Sequence, residues 1–417
     1  MNTVASNKSS PQGTPLSQML SFLWSFLKGH QYTFCLYIFL TPAVMLLVSC
    51  NSLIGCGPSD AILQAVNYTP QSRNGWSVSA PLKQGLNPDL VAKLYHDAAE
   101  LETLYGLLVI KNGQLIAEKY FNKGSVEQLS ARQSVTKSFT SALVGIAIDK
   151  GDLTSMDQKM MDFFPEYADR IKDPRKKQIT IRDLLQMRAG YPDEERTPLL
   201  LDLFFYGKTF QWVPHIEDFP LCNDPGKAFN YSNLSSHLLS AIVSRASGKN
   251  LLSYAREHLF QPIGVKTVRW STDSDGYNMG CIEIYLTARD LAKFGLLYLN
   301  KGEWEGKQIL SPDYVKDSLE RYSEGIQRTG WIFSSMGEYF RDIGYGYQWW
   351  SARVGYHHFN YAVGHGGNLI VVLHEQKMVI VTTADPLYEL PAEAEWKYEG
   401  AIIDLIGKFI DSLPAET

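Results

Sequence analysis

"RQSVTKSFTS", residues 132–141, decides how this chain is read. Ser134 and Lys137 stand three apart. The sequence that follows, "VTKSFTSALVGIAIDKG", keeps helical spacing through Phe139, Leu143, Ile146 and Ile148 and stops at Gly151. Residues three apart share a helix face, so the Lys137 amine can reach the Ser134 hydroxyl. Ser134 falls at the helix N-terminus, where free N–H groups and the dipole favour developing negative charge. Burial disfavours the charged form of a lysine and fits it to act as a base. The competing reading is an N-cap serine followed by a solvated first-turn lysine. The tetrapeptide alone does not choose, because Ser25 and Lys28 repeat the spacing where no chemistry is expected.

Two further pieces lie downstream. In "DPGKAFNYSNLSSHLLSAIVSRASG", Tyr231-Ser232-Asn233 follows an Asp-Pro-Gly turn and precedes an amphipathic helix. Tyr-x-Asn recurs at Tyr120/Asn122 and Tyr298/Asn300, which read as a strand end and a helix end. In "VGHGGNLIVV", His365-Gly366-Gly367 leads into a strand. Glycines there permit close backbone approach to a ligand, although a plain glycine turn gives the same pattern.

The chain ends supply strands. "YGLLVIKNGQLIAEKYF" places two apolar runs around Asn112-Gly113, a tight-hairpin signal. "NLIVVLHEQKMVIVTTAD", from Asn368, forms a second pair turning near Glu375 and Gln376. "NPDLVAKLYHDAAELE" is helical. "GAIIDLIGKFIDSL" gathers Ile402, Ile406, Phe409, Ile410 and Leu413 on one helix face. "TIRDLLQMRAG" and "TARDLAKFGLLYLNKG" each open with Thr-x-x-Asp and close at glycine, as helices do. The fold class expected is α/β in the α+β sense: one antiparallel sheet built from both chain ends, with flanking helices and a mainly helical domain between.

In this order the three pieces resemble the serine β-lactamase and penicillin-recognising superfamily, in which a Ser-x-x-Lys helix, a Tyr-x-Asn loop and a Lys-Thr-Gly-like strand share one cleft. "PGKAFNYSNLSSHLLSAIV", "GYNMGCIEIYLTARDLAKFGLLYLNKGEWEGKQILSP" and "YGYQWW" resemble the class C-type branch, with its aminohexanoate-dimer hydrolases and family VIII-type carboxylesterases. The resemblance implies a β-lactamase/transpeptidase-like fold over residues 86–417. It implies Ser134 as nucleophile, Lys137 as its activating partner and Tyr231 as general base and later proton donor. Asn233 would hold substrate or Lys137, and the backbone N–H groups of Ser134 and Asn368 would form the oxyanion hole. No equivalent of the class A deacylating glutamate motif is present. The implied reaction is acyl transfer through an acyl-serine, with no metal or cofactor.

One departure bears on substrate. His365-Gly366-Gly367 stands where penicillin-binding relatives carry Lys-Thr-Gly, so a substrate carboxylate loses a charge-assisted contact of about 1.5–3 kcal/mol. That favours a small ester, amide or short peptide substrate. The alternative is a penicillin-binding D,D-carboxypeptidase or weak β-lactamase acting on cell-wall peptides. Tyr191, in "QMRAGYPDEE", is expected near the cleft. The aromatics of "YGYQWWSARVGYHHF" read first as core packing.

The remaining sequence bounds the setting. Across 417 residues, 45% are hydrophobic and 20% charged, with a net charge of -5, which suits a globular chain and gives no basic excess for nucleic acid. Before Asp60 there is no acidic residue, while Lys8 and Lys28 precede the apolar run Tyr32–Cys50. Its "LVSC" ending resembles a lipobox with Cys50 as the lipidated residue, and "LIGC" at Cys56 fits the same pattern. An uncleaved signal anchor is the competing reading. Either would attach the protein to a membrane, outside the cytoplasm. Residues 1–56 thus read as leader or anchor and 57–85 as a tether. Cys222 and Cys281 in the body could pair or stay as buried thiols.

Overall fold

The computed structural model describes residues 58–72, 75–192, 211–326, 336–385 and 392–415. The expected leader, with Cys50 and Cys56, lies outside the described residues. Asn112 and Gly113 both take positive φ, 51° and 74°, which a type I′ turn requires. They join β1 (Leu104–Lys111) to β2 (Gln114–Tyr120). A small sheet consists of β3 (Ser130–Ala131), β4 (Arg269–Trp270) and β5 (Ile284–Leu286), with β5 central. A short ribbon pairs β6 (Glu303–Trp304) with β7 (Lys307–Gln308). The remaining strands are β8 (Arg341–Tyr345), β9 (Trp350–Val354), β10 (His357–Gly364), β11 (Asn368–Leu373) and β12 (Met378–Ala384).

The main sheet runs β2-β1-β12-β11-β10-β9-β8. β12 pairs antiparallel with β1, Ile110 opposite Val379 and Leu108 opposite Val381, so the two chain ends meet inside one sheet as expected. Alternation along the strands feeds two cores. Leu108, Ile110, Ile370, Val372, Val379 and Val381 face one side. Leu107, Val109, Leu369, Val371, Met378 and Ile380 face the other. Each such side chain, fully buried, is worth about 1.5–3 kcal/mol as an upper estimate.

Helices cover both faces. Helix α1 (Pro88–Ala98) is capped by the Asn87 side chain, and the C-terminal helix Ala392–Asp411 packs beside it with Ile402, Ile406 and Ile410 buried. On the opposite face lie α2 (Thr136–Lys150), α3 (Asn233–Ser247) and α4 (Ala288–Leu299). Thr180 and Thr287 each close a capping box with the aspartate three residues on, the arrangement their Thr-x-x-Asp sequences predict. A side chain at Gly295 would come within 2.5 Å of Val379, so glycine lets α4 lie close on the sheet. Cys222 is exposed and Cys281 buried, both as free thiols, so the pairing alternative is not realised.

Residues 58–72 and 75–85 differ from the expected tether, because they pack on the body. Trp76 is buried, and the Glu118 amide donates to Tyr68 O at 2.9 Å. Val78 bridges Leu115, which covers the outer edge of β2. The lone apolar residues Val66, Tyr68 and Trp76 are too widely spaced to show a period, and so the packing was not visible in the sequence.

The Glu118–Arg289 pair joins this segment to β2 and α4. Arg289 donates to both carboxylate oxygens, at 2.7 and 2.6 Å, and its Nη2 also reaches Gln71 O. Tyr120 Oη donates to Glu118 at 2.7 Å. Burial pushes the Glu118 carboxyl up, but Arg289 and Tyr120 outweigh it and hold it below its ordinary value. The stability this contributes is present above the unfolded value, about pH 4.3, and is lost as pH falls through the lower folded value. Glu118→Gln strands the arginine and should cost about 3–5 kcal/mol in urea unfolding at pH 7. The deficit should narrow below about pH 4; a pH-independent deficit would refute the assignment.

Candidate active site

The turn that carries Ser134 begins under strain. Gln133 has φ 49°, a left-handed conformation that costs a non-glycine residue about 1 kcal/mol or more. A 3₁₀ turn, Gln133–Val135, then runs into α2. Of residues 132–147, Ser134 alone is not buried. Val135, not Ser134, occupies the cap position, and no side chain caps there. The N-cap reading of Ser134 therefore fails, and its hydroxyl is left for other contacts.

Lys137 supplies that contact. Its side chain is 1% exposed, and Nζ donates to Ser134 Oγ at 2.9 Å, Asn233 Oδ1 at 2.6 Å and Cys281 O at 3.1 Å. Each partner comes from a different segment. The Ser232 hydroxyl accepts from the Ser235 amide and starts α3, which puts Asn233 in the first turn facing Lys137. Tyr231, one residue before that cap, is buried, and Lys137 Nζ lies 4.7 Å from its ring centroid. Lys137 thus meets Tyr231 at its ring face. Trp350 stacks on Tyr231 at 5.5 Å and Tyr345 meets it edge-on at 6.3 Å. Tyr345 and Trp350 are both buried, in keeping with the core-packing reading of that aromatic run.

The Cys281 carbonyl is placed by its own network, which the sequence reading missed. Thr140 Oγ1 donates to Gly280 O, and the Gly280 amide donates to His237 Nδ1. His237 Nε2 is therefore the protonated nitrogen and donates to Asp273 Oδ2 at 2.9 Å, both side chains being fully buried. A Cβ on Gly280 would collide with Ser236 O. No motif signals a backbone acceptor.

The His365-Gly366-Gly367 turn joins β10 to β11 and lies against the turn that carries Ser134. A Cβ on Gly364 would strike the Arg132 carbonyl, so the strand meets the turn backbone to backbone. Gly366 and Gly367 hold φ of 85° and 95°, conformations that only glycine adopts readily. Asn368 is fully buried at the start of β11. His365 is not isolated. Its Nδ1 lies 3.0 Å from Glu399 Oε2, the same oxygen accepts the Gly366 N–H at 2.8 Å, and Trp396 sits edge-on at 4.8 Å. Glu399 was not singled out from the sequence, because a C-terminal helix gives no sign of which side chain reaches the turn.

Tyr191 is elsewhere. It is 1% exposed, with its hydroxyl toward Met160 Sδ, and burial pushes its pKa well up. Its expected place near the cleft is corrected to the helical core. Ser134, Lys137, Asn233 and Tyr231 are brought together, and the Gly364 end of β10 packs on their turn.

Comparison with known proteins agrees with this geometry. Residues 105–403 match the Beta-lactamase family model. The 6-aminohexanoate-dimer hydrolase of Paenarthrobacter ureafaciens is 23% identical over 63% of this chain and 67% of its own. A beta-lactamase of Yersinia enterocolitica is 23% identical over 80% and 81%. Other curated relatives are matched over only 31% to 38% of their own length. The octameric penicillin-binding protein homologue of Pyrococcus abyssi superposes with a TM-score of 0.57 at 20% identity, over 76% of this chain and 77% of that one. With its Ser-x-x-Lys helix, its antiparallel sheet of both chain ends and a family match across most of its length, the chain belongs to the beta-lactamase family of serine hydrolases, which act on amide or ester bonds.

Proposed function

We propose that this protein hydrolyses small neutral esters or amides, with Ser134 as nucleophile. The observation that carries the reading is the three-way contact of Lys137. Asn233 Oδ1 and Cys281 O are acceptors only, so two N–H groups are committed to them. The third tetrahedral position faces Ser134 Oγ. In the neutral amine that position is a lone pair, aimed to take the hydroxyl proton as Ser134 attacks the carbonyl carbon. The oxyanion is received by the backbone N–H groups of Ser134 and Asn368. Collapse breaks the bond to the leaving alcohol or amine, which takes a proton from the Lys137–Tyr231 side. Water then attacks the acyl-serine, releasing the acid and regenerating Ser134.

Ser134→Ala should abolish ester turnover while leaving the unfolding midpoint within a degree or two, since one half-buried hydroxyl is lost. A fluorophosphonate should add once, at Ser134, by intact-mass and peptide analysis. Label on another serine would falsify the assignment.

The His365–Glu399 pair supports the preference for neutral substrates. A carboxylate beside the ring balances any charge it carries, so the turn offers no excess cation to a substrate carboxylate. His365→Lys alone should gain little, because Glu399 answers the new ammonium. Combined with Glu399→Gln, it should raise kcat/KM for a cephalosporin against a neutral ester by about tenfold, or 1.4 kcal/mol. A wild type that already turns over cephalosporin as fast as ester, or takes fluorescent penicillin, favours the D,D-peptidase reading instead.

The basic flank and apolar run of the leader support attachment to a membrane, outside the cytoplasm, through lipid at Cys50. The full-length protein should partition into detergent, and Cys50→Ala should change its processed mass. A mature N-terminus at Cys56 would move the lipid there, and a retained Met1 would make the segment a signal anchor.

A further inference from the structure

Arg132, two residues before the nucleophile, is 1% exposed. Among the described residues no carboxylate forms an ion pair with it. Its guanidinium is spent on neutral oxygens. Nε and Nη2 both donate to Leu286 O, at 2.8 and 2.6 Å, and Nη2 also reaches Gln128 O at 3.4 Å. Nη1 donates to Asn368 Oδ1 at 3.0 Å. Burial lowers its hold on the proton, and the charge of Asp290 partly restores it. A charge in such a place is costly to keep, and a well-packed apolar side chain in its stead is often neutral or stabilising. Fold stability alone therefore gives weak reason for an arginine here.

Its partners suggest another reason. The Arg132 main chain is part of the nucleophile turn, with its amide on Ile284 O of β5 and its carbonyl accepting from Val135. The same carbonyl lies against Gly364 of β10. Its side chain crosses from β5 to the first residue of β11. Asn368, so gripped, donates through Nδ2 to His365 O at 3.0 Å, across the glycine turn. One residue thus ties the turn bearing one oxyanion donor, the Ser134 N–H, to the strand bearing the other, the Asn368 N–H. The spacing of two such donors must hold to within about 0.5 Å for them to act together.

We propose that Arg132 is a positioning residue for the oxyanion hole: its planar fork, fixed on Leu286 O, holds Asn368 so that the Asn368 and Ser134 amides converge on the same oxygen. The proposal rests on the reading of Ser134 as nucleophile. It requires the fork and not merely the charge, because only a guanidinium can bond Leu286 O twice while reaching Asn368.

The test compares wild type, Arg132→Lys and Arg132→Met with a short-chain p-nitrophenyl ester. Active sites are counted by fluorophosphonate titration, and folding is followed by thermal unfolding. Both variants should keep KM within about threefold and lose kcat per titrated site by about tenfold or more, a partial form of the loss seen when an oxyanion donor is removed. Phosphonylation of Ser134 should slow in parallel, since it uses the same hole. A folded variant with wild-type kcat per site overturns the proposal, as does a loss confined to KM or to the fraction of titratable sites. If Arg132→Met does not fold, Arg132→Lys carries the comparison. Wild-type protein with neither turnover nor label at Ser134 would instead overturn the hydrolase reading, so the two failures are distinguishable.

Discussion

The buried amine of Lys137 sets the terms for everything around it. A lysine side chain that is 1% exposed needs a polar partner at each of its three tetrahedral positions, and no carboxylate among the described residues serves it. Ser134, Asn233 and the Cys281 carbonyl must therefore arrive together from the start of α2, the start of α3 and the loop before β5. Each arrival has its own cause. The strained Gln133 turn delivers Ser134, and the Ser232 cap delivers Asn233. The fully buried His237–Asp273 pair, with Gly280 packed against α3, delivers the carbonyl. Polar residues in the core at His237, Asp273 and Thr140 make sense as supports for one lysine and are poor choices for stability alone.

The sheet supplies the other side of the site. Because β1 and β12 pair inside the sheet, β11 and β10 follow in order, and the turn between them lies against the turn that carries Ser134. Two explanations of His365-Gly366-Gly367 turn out to be one. Glycine is required at Gly366 and Gly367 by positive φ, and at Gly364 by contact with the Arg132 carbonyl. The turn that looks plain in sequence is the feature that lets β10 lie against the backbone two residues before Ser134.

What was legible in the sequence was local. The Asn112-Gly113 hairpin, the two Thr-x-x-Asp caps and the stop at Gly151 depend on residues within one turn of each other, and all formed where expected. Ser134, Lys137 and Asn233 were reachable because each stands beside a helix start. Contacts joining distant segments were not legible. Cys281 contributes a carbonyl, which every residue has. Glu399 reaches its turn across 33 positions, and Arg132 its asparagine across 236. Tyr191 went astray for a related reason: nearness in sequence to a cleft segment says nothing about which way a ring turns. The segment 58–85 misled because turn-forming composition does not exclude packing by one tryptophan.

The arrangement of charge gives these details a common direction. Behind the serine stand two buried basic side chains, Lys137 and Arg132, whose partners are hydroxyl, amide and carbonyl oxygens. Neutral partners orient a cation without cancelling its field. At the His365 turn the opposite choice is made, and a carboxylate stands 3.0 Å from the imidazole. On the proposed reading, Lys137 becomes a cation as it takes the Ser134 proton, so negative charge that develops on the carbonyl oxygen during attack meets a positive field that no ion-paired carboxylate among the described residues cancels. Negative charge that the substrate already carries meets a balanced pair. Catalysis gains only from interactions stronger in the transition state than in the ground state. A site that reserves its free positive charge for the oxyanion, and withholds it from a resting carboxylate, meets that condition for a neutral ester or amide.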